Sequence, residues 1–164
     1  MGTIVINGGD IKAYGGGMAA GIGGSAEGGS GTIIINDGTV YAKGGHGSYY
    51  KDIKNVYGGA GIGGGANGCV DKIEINGGNV TAYGGYATNA GRHPGAAIGT
   101  SGPGDGGAKT VEDGYKYGEI VIKGGTVSAI AYNNEVYAIG IGVKPGQALQ
   151  RVPWWAPFPS VIRQ

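Results

Sequence analysis

The sequence predicts an all-β chain wound as a right-handed parallel β-helix, a three-sided solenoid of about four coils with insertions along its edges. Three observations predict it. One quarter of the chain is glycine, 41 of 164 residues. Four segments repeat one pattern: Thr3 to Gly16 (TIVINGGDIKAYGG), Thr32 to Gly45 (TIIINDGTVYAKGG), Lys72 to Gly85 (KIEINGGNVTAYGG) and Glu119 to Tyr132 (EIVIKGGTVSAIAY). Apolar residues inside each segment alternate with a period of two, which is the spacing of a strand with one buried face.

Each element follows from that repeat. Ile4 and Ile6 form the first strand, Asn7-Gly8-Gly9 turns the chain, and Ile11 and Ala13 belong to the second strand. The segments are short, β-branched and bounded by glycine pairs, which disfavours a helix. Each is followed by a second motif: Ala20-Gly21-Ile22-Gly23, Ala60-Gly61-Ile62-Gly63, Ala96-Ala97-Ile98-Gly99 and Ile139-Gly140-Ile141-Gly142. This supplies the third strand of a coil. Like residues then stack on like: Ile4, Ile33, Ile73 and Ile120 in one ladder; Ala13, Ala42, Ala82 and Ala129 along a narrower wall; Ile22, Ile62, Ile98 and Ile141 on the third side. One such unit cannot bury its apolar face alone, so stability comes from stacking several. A β-sandwich or antiparallel barrel is the rival, but hairpin partners need only be complementary, whereas here the same residues recur.

Repeat lengths grow along the chain, and the excess falls in insertions. His46 to Tyr57 (HGSYYKDIKNVY) and Tyr86 to Pro94 (YATNAGRHP) lie between the second and third strands, and Thr100 to Tyr117 follows the third strand of its coil. Insertions at equivalent points of a solenoid emerge on one edge, often the binding face. The solenoid is expected over residues 2–147. Residues 148–164 (ALQRVPWWAPFPSVIRQ) form an irregular tail with both tryptophans and three prolines, a cap or an expression-derived addition. The first coil has no visible cap, which points to self-association through uncapped coil ends or to a longer parent.

Composition excludes several functions. The net charge is +1, and no basic stripe marks a nucleic-acid binder. No apolar run approaches the roughly 20 residues needed for membrane insertion as a helix. Cys69 stands alone, so no disulfide framework or cysteine metal site forms. Gly15-Gly16-Gly17 and Gly61 to Gly65 lack the Gly-Lys-Ser/Thr continuation of a phosphate loop and read as coil corners.

The phrases INGGNVTAYGG, GGAGIGGG and AAGIGGS resemble glycine-rich repeats of secreted and cell-surface bacterial proteins, some of them carbohydrate-binding-type domains with a pectate-lyase-like β-helix. The resemblance covers roughly residues 2–146. It implies an extracellular or cell-surface setting and a polysaccharide or cell-surface glycan as partner. It carries no catalytic residue over to this chain.

Tyrosine dominates the aromatic residues, 11 against two Trp and one Phe. Tyr14, Tyr41 and Tyr83 are expected at one repeat position, pointing outward in a column. Tyr49, Tyr50, Tyr57 and Tyr86 lie in the insertions nearby. The ligand-binding residues expected are Tyr49, Tyr50, Tyr57, Tyr83, Tyr86, Arg92 and His93, because ring faces pack on the apolar faces of sugars. The competing reading is that these tyrosines only shield the strands.

A non-catalytic binding or adhesion domain is the function expected. A structural spacer or self-associating filament subunit is the first alternative and a polysaccharide lyase-like enzyme the second. A lyase needs converging acids and a base, and its candidates, Asp105, Glu112 and Asp113 with Arg92 and His93, are scattered. No metal or cofactor is expected, calcium being the one ion that an acidic insertion would suit.

Overall fold

A computed structural model of the chain describes residues 2–47, 57–87, 94–101, 118–131, 138–140 and 161–162. Four successive coils each contribute three strands. The first coil holds β1 (Thr3–Ile6), β2 (Asp10–Tyr14) and β3 (Ile22–Gly23); the second holds β4 (Ser30–Ile35), β5 (Thr39–Lys43) and β6 (Ile62–Gly63). The third holds β7 (Val70–Ile75), β8 (Asn79–Tyr83) and β9 (Ile98–Gly99), and the fourth β10 (Glu119–Ile122), β11 (Thr126–Ile130) and β12 (Ile139–Gly140). A last short strand, β13 (Val161–Ile162), follows.

Three sheets result, and each collects the same strand from every coil: β1-β4-β7-β10-β13, β2-β5-β8-β11 and β3-β6-β9-β12. All pairs are parallel except β10 with β13, which is antiparallel. This is a three-sided parallel β-helix.

The register places equal residues over one another. Ile4 pairs with Ile33, Ile33 with Ile73 and Ile73 with Ile120. Ala13, Ala42, Ala82 and Ala129 form the second column. The inner coils bury these columns completely, as at Ile33, Ile73, Ala42, Ala82, Ile62 and Ile98. At the N-terminal end the same column loses its cover, and Ile4 is 37% exposed. Each coil contributes one layer of inward side chains from its three strands, so a coil is buried only when it has a coil on each side.

One expected column is displaced. The fourth member of the Ile22-Ile62-Ile98 column is Ile139, not Ile141. Ala138-Ile139-Gly140 stacks on Ala97-Ile98-Gly99, with the Ile98 amide donating to the Ala138 carbonyl at 3.0 Å. The two readings differ by two residues, so both keep isoleucine facing inward, and only the neighbouring coil decides between them.

The corners explain two glycine columns. Gly9, Gly38, Gly78 and Gly125 turn the chain from the first to the second sheet with φ between +85° and +111°, a region L-residues with side chains avoid. Gly23, Gly63 and Gly99 share φ +135°, and a Cβ on each would run into the backbone carbonyl of the next coil. Beside the first corner an asparagine ladder runs along the rod: the Asn36 amide donates to Asn7 Oδ1 at 2.7 Å and the Asn76 amide to Asn36 Oδ1 at 2.8 Å. Such ladders require in-register stacking. Lys123 takes the position in the fourth coil and instead bonds Glu74 on the outer face.

Glu74 is held between two lysines, Lys123 and Lys72, the latter at 2.6 Å. These partners, Lys123 first, lower its pKa from 4.5 to about 2. The carboxylate therefore supports the fold fully above pH 4.5, and that support fades as pH falls toward about 2. The stability gap between wild type and Glu74→Gln, read from urea midpoints, is expected to narrow over that window. An equal gap at pH 7 and pH 2 contradicts it.

Candidate functional site

The outer face of the second sheet carries the candidate site. Because side chains alternate across a strand, each coil presents three outward residues there. They are Asp10, Lys12 and Tyr14 in the first coil, Thr39, Tyr41 and Lys43 in the second, Asn79, Thr81 and Tyr83 in the third, and Thr126, Ser128 and Ile130 in the fourth.

The three strand tyrosines do not share one repeat position. Tyr14 pairs with Lys43 and Lys43 with Tyr83, while Tyr41 stands two residues earlier, opposite Lys12 and Thr81. A shift of two keeps Tyr41 on the same face, so the rings still meet, diagonally rather than in a straight column. Tyr14 and Tyr41 lie 5.7 Å apart between ring centroids, and Tyr41 and Tyr83 5.3 Å, with planes inclined by 47° and 43°. These are favourable aromatic contacts. The result is a zigzag ridge across three coils. Its outer end is open: Tyr14 is 66% exposed, and Tyr41 and Tyr83 are half-buried. Desolvation first, then its two phenol neighbours, hold the Tyr41 hydroxyl above its ordinary pKa of 10. Lys12 and Lys43 flank the ridge on the opposite diagonals.

The insertion edge lies beside this face. Residues 48–56, 88–93 and 132–137 each join a strand of the second sheet to one of the third. The roots of the first two stack: Gly47 bridges Ala87 in parallel, and the Gly47 amide donates to the Tyr86 carbonyl at 2.8 Å. The rings of His46 and Tyr86 meet edge-on at 5.8 Å. The roots of these two insertions therefore lie on one edge of the rod. Residues 102–117 lie in the chain between β9, in the third sheet, and β10, in the first.

Of the residues expected to bind ligand, Tyr83 stands in the ridge and Tyr86 at the insertion root, half-buried. Tyr57 is only 7% exposed and presents no ring to solvent. Tyr49, Tyr50, Arg92 and His93 lie outside the described residues, as do Asp105, Glu112 and Asp113. Tyr14 and Tyr41 share the ridge with Tyr83, although the expected binding set contains Tyr83 alone of the three; their outward parity was the signal for them.

Among the described residues no group of three or more His, Cys, Asp or Glu side chains is placed to hold a metal ion. Asn67 Oδ1 and Asp71 Oδ1 are buried acceptors without a hydrogen-bond partner, and two oxygens fall short of the roughly six to eight that calcium takes. Nor, among the described residues, is any helix long and apolar enough to cross a membrane.

A family model described as Beta helix repeat matches residues 4–29 and 73–102. These stretches span the first coil and most of the third, through the third strand of each. No curated protein and no solved structure matches the chain.

Proposed function

We propose that this β-helix repeat domain is a non-catalytic, extracellular binding module that holds a polysaccharide or cell-surface glycan along the tyrosine ridge of its second sheet. The single observation that carries the reading is the run of Tyr14, Tyr41 and Tyr83 at 5.7 and 5.3 Å. That step is comparable to one sugar unit of an extended glycan, so successive sugars meet successive rings. Ring faces supply the apolar contact, and Lys12, Lys43, Thr81 and Asn79 beside them supply donors and acceptors for hydroxyls. Their inclination suits a chain that twists as it runs.

A rigid scaffold favours this use. The ridge residues sit on strands locked by parallel pairing, so little conformational freedom is lost on binding. Tyr86, at the stacked roots of the insertions, extends the same edge. Tyr57, being buried, serves the fold.

The test is retention on insoluble plant and bacterial polysaccharides, comparing wild type with the double variant Tyr14→Ala/Tyr83→Ala. With each lost ring contact taken at the about 0.5–1.5 kcal/mol of an aromatic pair, binding is expected to weaken about five- to 150-fold. Circular dichroism should stay unchanged, because both side chains point outward. Equal retention of the double variant, or no retention of wild type on any polysaccharide, overturns the proposal.

A further inference from the structure

The ridge tyrosines stand close enough to react with one another. Tyr41 has a phenol on each side, Tyr14 at 5.7 Å and Tyr83 at 5.3 Å between ring centroids. Tilted rings at this separation bring carbons of one ring close to van der Waals contact with the next. The three side chains project from β2, β5 and β8, which pair in register. The strands hold the rings side by side, and only rotation about the side-chain bonds separates them from a bonding approach.

Access and competition also favour reaction there. Tyr14 is 66% exposed and opens the run to an oxidant in solution, while Tyr41 and Tyr83 are half-buried next to it. Cys69, the only cysteine of the chain, precedes β7 on the corner between the third and first sheets. The ridge lies on the second sheet, so no thiol stands within it to reduce a tyrosyl radical first.

We propose that the ridge is a site of oxidative modification, at which Tyr41 forms a carbon–carbon bond to Tyr14 or Tyr83 when an external peroxidase and hydrogen peroxide supply the oxidising equivalents. Each of the two phenols gives up one electron and one proton. The two phenoxyl radicals pair their electrons in a bond between ring carbons ortho to oxygen. Each of those carbons then releases its hydrogen as a proton while the oxygen regains one, restoring two phenols. The protein loses two hydrogen atoms in all, and one hydrogen peroxide accepts the two electrons and two protons to leave as two waters. The product joins neighbouring coils covalently and closes the chain between residues 41 and 83 or 14 and 41, which restricts the unfolded state as a disulfide does. This chemistry does not depend on what the ridge binds.

Treating the dilute full chain with a haem peroxidase and hydrogen peroxide tests the proposal. Wild type is expected to gain dityrosine fluorescence while remaining a single chain, with its mass lowered by two hydrogen atoms. Proteolysis should then yield a joined peptide pair that contains Tyr41 with Tyr14 or Tyr83. Tyr41→Phe keeps the ring but cannot form the radical, and it should lose that product, because β5 separates the strands of Tyr14 and Tyr83. The double variant Tyr14→Phe/Tyr83→Phe leaves Tyr41 without a phenol beside it and should lose the product too, which covers a Tyr41→Phe protein that folds poorly. No coupling in wild type, bonds confined to other tyrosines, bonds formed only between molecules, or a wild-type yield from either folded variant would each overturn the proposal.

Discussion

Gly63→Ala is expected to abolish folding of the isolated chain at 37 °C. The residue sits in the middle of a stacked column with φ +135°, and an added Cβ points at the carbonyl oxygen of Gly99 in the next coil. Relief would need the second and third coils to separate, and that separation breaks pairing in all three sheets at once. The neighbour is backbone, so no side chain can move aside. The control is Gly16→Ala, which adds the same methyl group where nothing lies within 4 Å. Far-UV dichroism and thermal melts of the two variants check the contrast: loss of the cooperative transition for Gly63→Ala and a near wild-type midpoint for Gly16→Ala. A Gly63→Ala protein that melts like wild type means that the coils do not approach as described.

The second large effect is expected at Ile73→Ala. Ile73 is fully buried and pairs with Ile33 on one side and Ile120 on the other. Truncation removes apolar contacts and leaves a cavity that a stacked column cannot collapse without shifting register, so the loss should fall within about 2–5 kcal/mol. Ile4→Ala, at the equivalent position of the first coil, should cost markedly less, because Ile4 is already 37% exposed. Urea unfolding of both variants measures the gradient from the middle of the rod to its end. Equal losses at the two positions contradict a core built by successive stacking.

Much of this fold was legible in the residues because the repeat states its own register. Ile-x-Ile followed by Asn-Gly-Gly marks the first sheet and its corner, and the recurrence of alanine at Ala13, Ala42, Ala82 and Ala129 marks the second. Where the motif loses distinctiveness, legibility falls. The run Ile139-Gly140-Ile141-Gly142 holds two equivalent Ile-Gly pairs, and alternation alone cannot choose between registers two residues apart. The same degeneracy concealed the true row of Tyr41, which faces outward from either position. The asparagine ladder was written in Asn7, Asn36 and Asn76, yet its hydrogen bonds follow from stacking distance and not from spacing along the chain. Tyr57 shows a different limit: it follows an insertion with no counterpart in the first coil, so no repeat neighbour announced its burial.

The candidate site was legible in its chemistry and less so in its assembly. Outward tyrosines on the second strand follow from parity. That three of them touch across coils depends on a diagonal contact between Tyr41 and its neighbours, which only the paired register creates.

Cysteine pairing on the second sheet tests the stacked register most directly. In a Cys69→Ser background, Thr39→Cys/Asn79→Cys places thiols on residues that face each other across β5 and β8, within the span a disulfide bridges. Thr39→Cys/Tyr83→Cys places them about 13 Å further along the strand if the pair is parallel, but opposite each other if the strands form an antiparallel hairpin. Rapid intramolecular oxidation of the first pair and none of the second is the expected result. The reverse pattern would show that the repeats do not stack coil upon coil.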